Sequence, residues 1–236
     1  MSYKKNIQYK SKEIRDFYSS YRNKWPDLYK SERKVIDRLK INKKSKILDI
    51  GSACGGLGKI LYKRFKVDYY LGLEVNKSAS NFSKNIFSKG NFKNLDFLNF
   101  EKKKLRPTEF DYVFSLGCID WNVEFDRMLK KAWKHVKIDG YLVLTLRFTN
   151  RRLKGKYFQF INFSKELKGD KANYHILNFK KFKKKIKNFN IKKIIQYGYW
   201  KAPSPTAMVP FKKLYFTGVA LQKGEEKKRI LKNFFK

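Results

Sequence analysis

The chain is short of the residues that would cross-link it or anchor it in a bilayer. Its two cysteines, Cys54 and Cys118, form no C-x-x-C pair, so neither a disulfide framework nor a zinc site is expected. No apolar run approaches the roughly 20 residues of a membrane helix, the longest lying around Tyr141 to Leu146. Met1-Ser2-Tyr3-Lys4-Lys5-Asn6 leads into polar sequence without the apolar segment of a signal peptide, and a cytoplasmic protein is expected. No linker-like stretch divides the 236 residues, which predicts one α/β domain over 1–236. Acids are scarce as well: 20 Asp and Glu stand against 57 Lys and Arg, a formal charge of +37. The excess is mostly Lys and comes with abundant Asn, Ile, Phe and Tyr, all encoded by A- and T-rich codons. Codon bias accounts for it without a polyanionic partner, and nucleic acid is the disfavoured alternative.

What is present centres on Lys46 to Leu61, a buried strand that breaks at Gly51 into a glycine-rich turn and a helix with apolar residues at helical spacing. That order lets a ligand lie against bare backbone at the carboxyl edge of a parallel sheet. Asp49, two residues before Gly51, would repel a pyrophosphate and attract an ammonium group. Ala53 stands where the dinucleotide fingerprint needs glycine, which disfavours NAD. S-adenosylmethionine suits the turn better, because it has no phosphate, an ammonium and a sulfonium. Tyr69 to Val75 reads as a second strand ending in Glu74, at about the spacing of an acid that accepts from ribose hydroxyls.

Asp49, Gly51, Gly55 and Gly56 resemble the first motif of the class I S-adenosylmethionine-dependent methyltransferases, with Ala53 a departure at the second glycine. The resemblance extends over about residues 40–148. It implies a Rossmann-like fold: a single seven-stranded, mostly parallel sheet with helices on both faces and an antiparallel last strand. It implies S-adenosylmethionine as cofactor, contacted by Gly51, Ser52, Ala53, Gly55, Glu74 and Val75. Asp96 is expected to accept from the adenine amino group, Phe97 to pack on the ring, and Gly117 to border the cofactor after the fourth strand. Residues 1–40 would form a helical cap, with Tyr21 and Arg22 toward the cofactor's carboxylate.

Residues 148–177 and 200–213 are expected to be acceptor-side insertions. Trp121, Arg147, Arg151, Arg152 and Tyr174 are candidate substrate contacts, the arginines favouring an anionic acceptor. Asp120 and His175 are the candidate general bases. No set of oxygen ligands for a metal is apparent. The place of the Pro-Pro-aromatic signature of base-methylating enzymes holds Leu116-Gly117-Cys118-Ile119, and neither cysteine follows a proline as a carbon-5 nucleophile commonly does. The expected activity is therefore methyl transfer to a small-molecule or saccharide-type acceptor. The alternatives are an RNA ribose methyltransferase and a non-catalytic basic binding module. No oligomeric state is implied.

Overall fold

The computed structural model describes residues 12–101, 105–161 and 166–226. The first eleven residues of the expected cap and the basic tail from Lys227 lie outside them. In order, the elements are α1 (Lys12–Ser20), α2 (Lys30–Ile36), β1 (Lys46–Ile50), α3 (Gly56–Phe65), β2 (Tyr69–Glu74), α4 (Lys77–Ile86) and β3 (Asn91–Asn94). There follow β4 (Phe110–Ser115), α5 (Phe125–Lys134), β5 (Val136–Thr149), β6 (Phe158–Ile161), β7 (Asp170–Asn173) and β8 (Leu177–Asn178). The last are α6 (Phe179–Ile186), β9 (Ile191–Lys201), β10 (Ala207–Met208) and β11 (Leu214–Lys223).

The main sheet runs β3-β2-β1-β4-β5-β11-β9, with the short β8 added to β5. From β3 to β5 all pairings are parallel, while β11 is antiparallel to both β5 and β9. This is the expected Rossmann-like sheet. Because β2 and β4 flank β1 on opposite sides, the strand order reverses there, and a crevice opens at the carboxyl ends of β1 and β4.

Alternation along β1 divides the core between the two faces. Ile47 packs with Val35 and Ile36 of α2 and with Leu57, Ile60 and Leu61 of α3. Leu48 and Ile50 pack with Met128, Leu129 and Trp133 of α5 and with Phe182 and Ile186 of α6. Among the described residues no helix is long and apolar enough to cross a membrane.

Two boundaries depart from expectation. The third strand, expected over Phe92 to Leu98, ends at Asn94, because the Asp96 side chain accepts from Leu98 N at 2.9 Å and Asn99 Nδ2 at 2.7 Å and bends the chain into a turn. Lys137 to Gly140, expected as a turn before a strand, lie inside β5 at an irregularity opposite Phe110 and Tyr112. The two expected insertions contribute β6, β7 and β10 to a second antiparallel sheet, ordered β10-β6-β7.

The helical segment 12–36 is tied to the sheet through Glu32, which has no exposed surface. Its carboxylate accepts from Arg22 Nη2 at 3.1 Å to each oxygen, from Tyr29 N at 2.8 Å and from Thr145 Oγ1 of β5 at 2.7 Å. Removing one member of a buried ion pair leaves the other uncompensated. Glu32→Ala is therefore expected to cost about 3 kcal/mol, the lower end for such losses because Arg22 keeps some access to water. A urea titration that leaves the midpoint within error of wild type would contradict this.

Candidate active site

At the end of β1 the chain turns over β2, where Gly51 N and Ser52 N both donate to Leu73 O, at 2.8 and 3.0 Å. Gly51 has φ +78°, and a Cβ on it would lie 2.4 Å from Cys118 Sγ on the loop after β4. Glycine here is thus required by the turn and by contact between the two loops. Ala53 follows with φ +47°, a left-handed conformation that strains a residue bearing a Cβ.

Around this turn lies a cavity of about 1120 Å³. Of the residues expected at the cofactor, Tyr21, Arg22, Asp49, Gly51, Ser52, Ala53, Glu74, Val75, Asp96, Phe97 and Gly117 line it. Gly55 does not. It caps α3 with φ +79° and faces the Phe92 ring, while Gly56 reaches the wall.

Glu74 Oε2 accepts from Ala53 N at 2.9 Å and Oε1 from Asn76 N at 2.8 Å. Burial raises its pKa against these backbone donors. A carboxylate offers about four acceptor positions, so Glu74 retains capacity for hydroxyls in the cavity. Asp49 is buried on the α3 side of the sheet and accepts from Tyr70 Oη at 2.5 Å. Desolvation lifts its pKa to about 7, partly opposed by the Tyr70 hydrogen bond. Phe97 belongs to the core as well as the wall, packing on Phe100 and His135.

Segment 12–36 supplies Phe17, Tyr18, Leu28 and Tyr29 to the cavity, and burial pushes the Tyr18 hydroxyl up to about 12. Arg15 O receives the Cys54 thiol at 3.5 Å, so α1 rests on the glycine turn.

On the acceptor side the structure departs from expectation. Trp121 lines the cavity, but Asp120, Arg147, Tyr174 and His175 stand behind it. The Arg147 guanidinium lies 4.6 Å from the Trp121 ring centroid and 3.8 Å from that of Tyr174. Its Nη2 is 2.9 Å from Asp120 Oδ2 and donates to Asp120 O at 2.8 Å. Asp120, raised by burial and lowered by Arg147, is committed to that pair and does not reach the wall as a base. The His175 ring stacks on Phe125 at 4.3 Å and 7°. Desolvation and the nearby Lys185 and Arg147 depress it to about 4, which makes it a weak base at neutral pH. Arg151 and Arg152 are exposed and away from the wall.

Sequence reasoning missed Gln159, Phe160 and Ile161 of β6 and Ala172 of β7, which line the cavity. The signal available was the apolar and aromatic alternation of Phe158 to Ile161 within an otherwise basic segment. The charged lining is Asp27, Asp49, Glu74, Asp96 and Glu124 with Arg22 as the one cation among the described residues. Such a wall fits a phosphate-free, positively charged nucleoside and repels a pyrophosphate. The geometry defines a Rossmann-like nucleoside site.

The model of a methyltransferase-domain family matches residues 41–199, and the chain belongs to that family, the class I S-adenosylmethionine-dependent methyltransferases. No curated protein sequence matches the chain. Among solved structures, a S-adenosylmethionine-dependent methyltransferase from Methanosarcina mazei is similar with a TM-score of 0.59 at 16% identity, over 84% of this chain and 99% of that one. Haemonchus contortus phosphoethanolamine N-methyltransferase 2, in complex with S-adenosylmethionine, gives 0.58 at 14% identity, over 84% of this chain and 53% of that one. This chain thus spans about half the length of the nematode enzyme. The [4+2]-cyclase SpnF gives 0.56 at 12% identity, over 82% of this chain and 80% of that one. At these identities the likenesses concern the fold alone.

Two predictions follow from the turn and its acid. Ala53→Gly relieves the left-handed strain of about 1 to 2 kcal/mol but gains unfolded-state entropy of about 0.4 to 1 kcal/mol, so stability should be unchanged or up to about 1.6 kcal/mol higher. A lower melting temperature would contradict it. The raised Asp49 pKa keeps its proton on up to about pH 7, whereas a bound cation favours the carboxylate. Affinity for S-adenosylmethionine should therefore fall, by at most tenfold per unit, as pH drops from 7 toward 6. Tyr70→Phe should move the midpoint upward. Asp49→Asn, lacking this proton, should show a smaller pH dependence by calorimetry, and an equal dependence would assign the effect elsewhere.

Proposed function

We propose that the chain transfers a methyl group from S-adenosylmethionine to a small-molecule acceptor held at the Trp121 end of the cavity. The observation that carries this reading is the cavity itself. At about 1120 Å³ it exceeds the roughly 300 to 1,000 Å³ usual for one small ligand, and among the described residues its wall has one cation against five carboxylates. A nucleic-acid acceptor would call for several lysines and arginines toward its phosphates, and among the described residues the wall has one cation, Arg22.

Bound, S-adenosylmethionine supplies a methyl on a sulfonium, which is already a good leaving group. Glu74 would accept from ribose hydroxyls, Asp96 and Phe97 would flank the base, and Asp49 and Arg22 would face the ammonium and carboxylate of the amino-acid end. Phe17 and Tyr18 would exclude water from above. The chain's main task is to align the acceptor atom with the methyl at about 3 to 3.5 Å, a positioning role that needs no dedicated base. With Asp120 and His175 behind the wall, we assign neither that role.

Glu74→Gln keeps the shape but weakens charge-assisted acceptance, and should lower cofactor affinity by about 1.5 to 3 kcal/mol, roughly 10- to 150-fold. Methyl transfer from labelled S-adenosylmethionine to a metabolite pool and to an RNA pool, at near-physiological salt, tests the acceptor. Saturable transfer to RNA would overturn the small-molecule reading.

A further inference from the structure

Tyr18 stands apart from the other phenols that the cap brings to the cavity wall. Tyr21 and Tyr29 are 59% and 50% exposed and can bond to water. Tyr18 is half-buried, and its hydroxyl has no hydrogen-bond partner among the described residues. The chain is pinned on both sides of it: the Cys54 thiol bonds Arg15 O at 3.5 Å, and Arg22 pairs with Glu32 at 3.1 Å. Its ring meets that of Phe17 edge to face at 5.0 Å. The hydroxyl senses Arg22, Tyr29, Glu74 and Cys118, all of them on the same wall. Desolvation outweighs these neighbours and keeps the phenol protonated at neutral pH.

Two of the neighbours bracket one point of the cofactor. In S-adenosylmethionine the sulfonium joins the 5′ carbon of the ribose to the amino-acid chain. With Glu74 at the ribose and Arg22 at the amino-acid end, a group that faces both stands beside the sulfur. A neutral oxygen suits that place better than a carboxylate does. Its lone pairs attract the positive sulfur, while the proton it keeps makes it a poor nucleophile toward the methyl group. Cys118 is kept from attack in the same way, its thiol pushed up by burial and by Glu74, Asp120 and Asp49. Once the methyl has left, the sulfur is neutral and the attraction is lost. The contact therefore favours the methylated form of the cofactor over the product.

Resting on the methyltransferase reading and on those placements of Glu74 and Arg22, we propose that the Tyr18 hydroxyl oxygen faces the sulfonium. It makes the site distinguish S-adenosylmethionine from S-adenosylhomocysteine by charge.

The test is calorimetry on the full chain at neutral pH with S-adenosylmethionine, S-adenosylhomocysteine and sinefungin, in which an ammonium-bearing carbon replaces the methylated sulfur. Tyr18→Phe removes only the oxygen. It should weaken both cationic ligands about tenfold and S-adenosylhomocysteine less than about twofold. Tyr18→Leu removes the ring face as well and should show the same difference or a larger one. Equal losses for all three ligands would put the hydroxyl at the ribose or the amino-acid end and overturn the proposal, as would unchanged affinities. A loss for S-adenosylmethionine that sinefungin does not share overturns it too, because charge is then not what the oxygen reads. Should one variant not fold, the other decides by the same comparison. Failure of the wild type to bind any of the three would remove the methyltransferase reading itself, whereas binding with equal losses removes only the role of Tyr18.

Discussion

One carboxylate, that of Glu32, holds the amino-terminal helices over the crevice. It reaches β5 through Thr145 and the α1–α2 connection through Arg22 and Tyr29. Arg22 in turn sets its carbonyl against Gly56, where a Cβ would come within 2.3 Å of that oxygen. The cap thus rests on the start of α3 with no room for a side chain between them. A fully buried charge is costly unless its acceptor positions are filled, and here four hydrogen bonds fill them. The price of that burial is met by a defined roof over the cavity, carrying Phe17, Tyr18 and Tyr29.

The half of the cavity around the glycine turn was legible because its information is local. Strand, glycine turn and helix follow one another within Lys46 to Leu61, and Asp49 and Glu74 each follow apolar strand residues. Asp49, Glu74 and Asp96 all reach the cavity. Even there the reason for Gly51 was not legible. Its neighbour Cys118 is far away in sequence and meets it only because β4 pairs with β1.

The Trp121 end of the cavity depends on burial and long-range pairing, which sequence does not display. Arg147 looked like an anion-binding side chain, yet it is sealed between Trp121 and Tyr174 by its pairing with Asp120. His175 looked titratable, but stacking on Phe125 places it where a charge is unfavourable. Gln159 and Phe160 were overlooked because their strand finds partners in Asp170–Asn173 and in Ala207–Met208, the latter nearly fifty positions downstream. Composition is uninformative about the wall for a related reason. A charge of +37 describes the chain as a whole, whereas the described cavity wall has the opposite sign. At physiological ionic strength a charge is felt over about 8 Å, so a ligand inside responds to the wall and not to the distant lysines.

The small sheet β10-β6-β7 has a consequence for how such a protein diversifies. It is built from the excursions that leave β5 and β9, and it shares no strand with the main sheet. Changes in its length or composition leave untouched the pairings that hold Gly51 beside Cys118 and Glu74 beside Ala53. Inheritance can therefore act on the two halves separately: the nucleoside half is constrained by backbone geometry that tolerates few substitutions, while the other half drifts or adapts under looser constraint. Divergence among descendants of this architecture should concentrate in residues 150–176 and 202–213, with the strand ends of β1, β2 and β4 changing slowly.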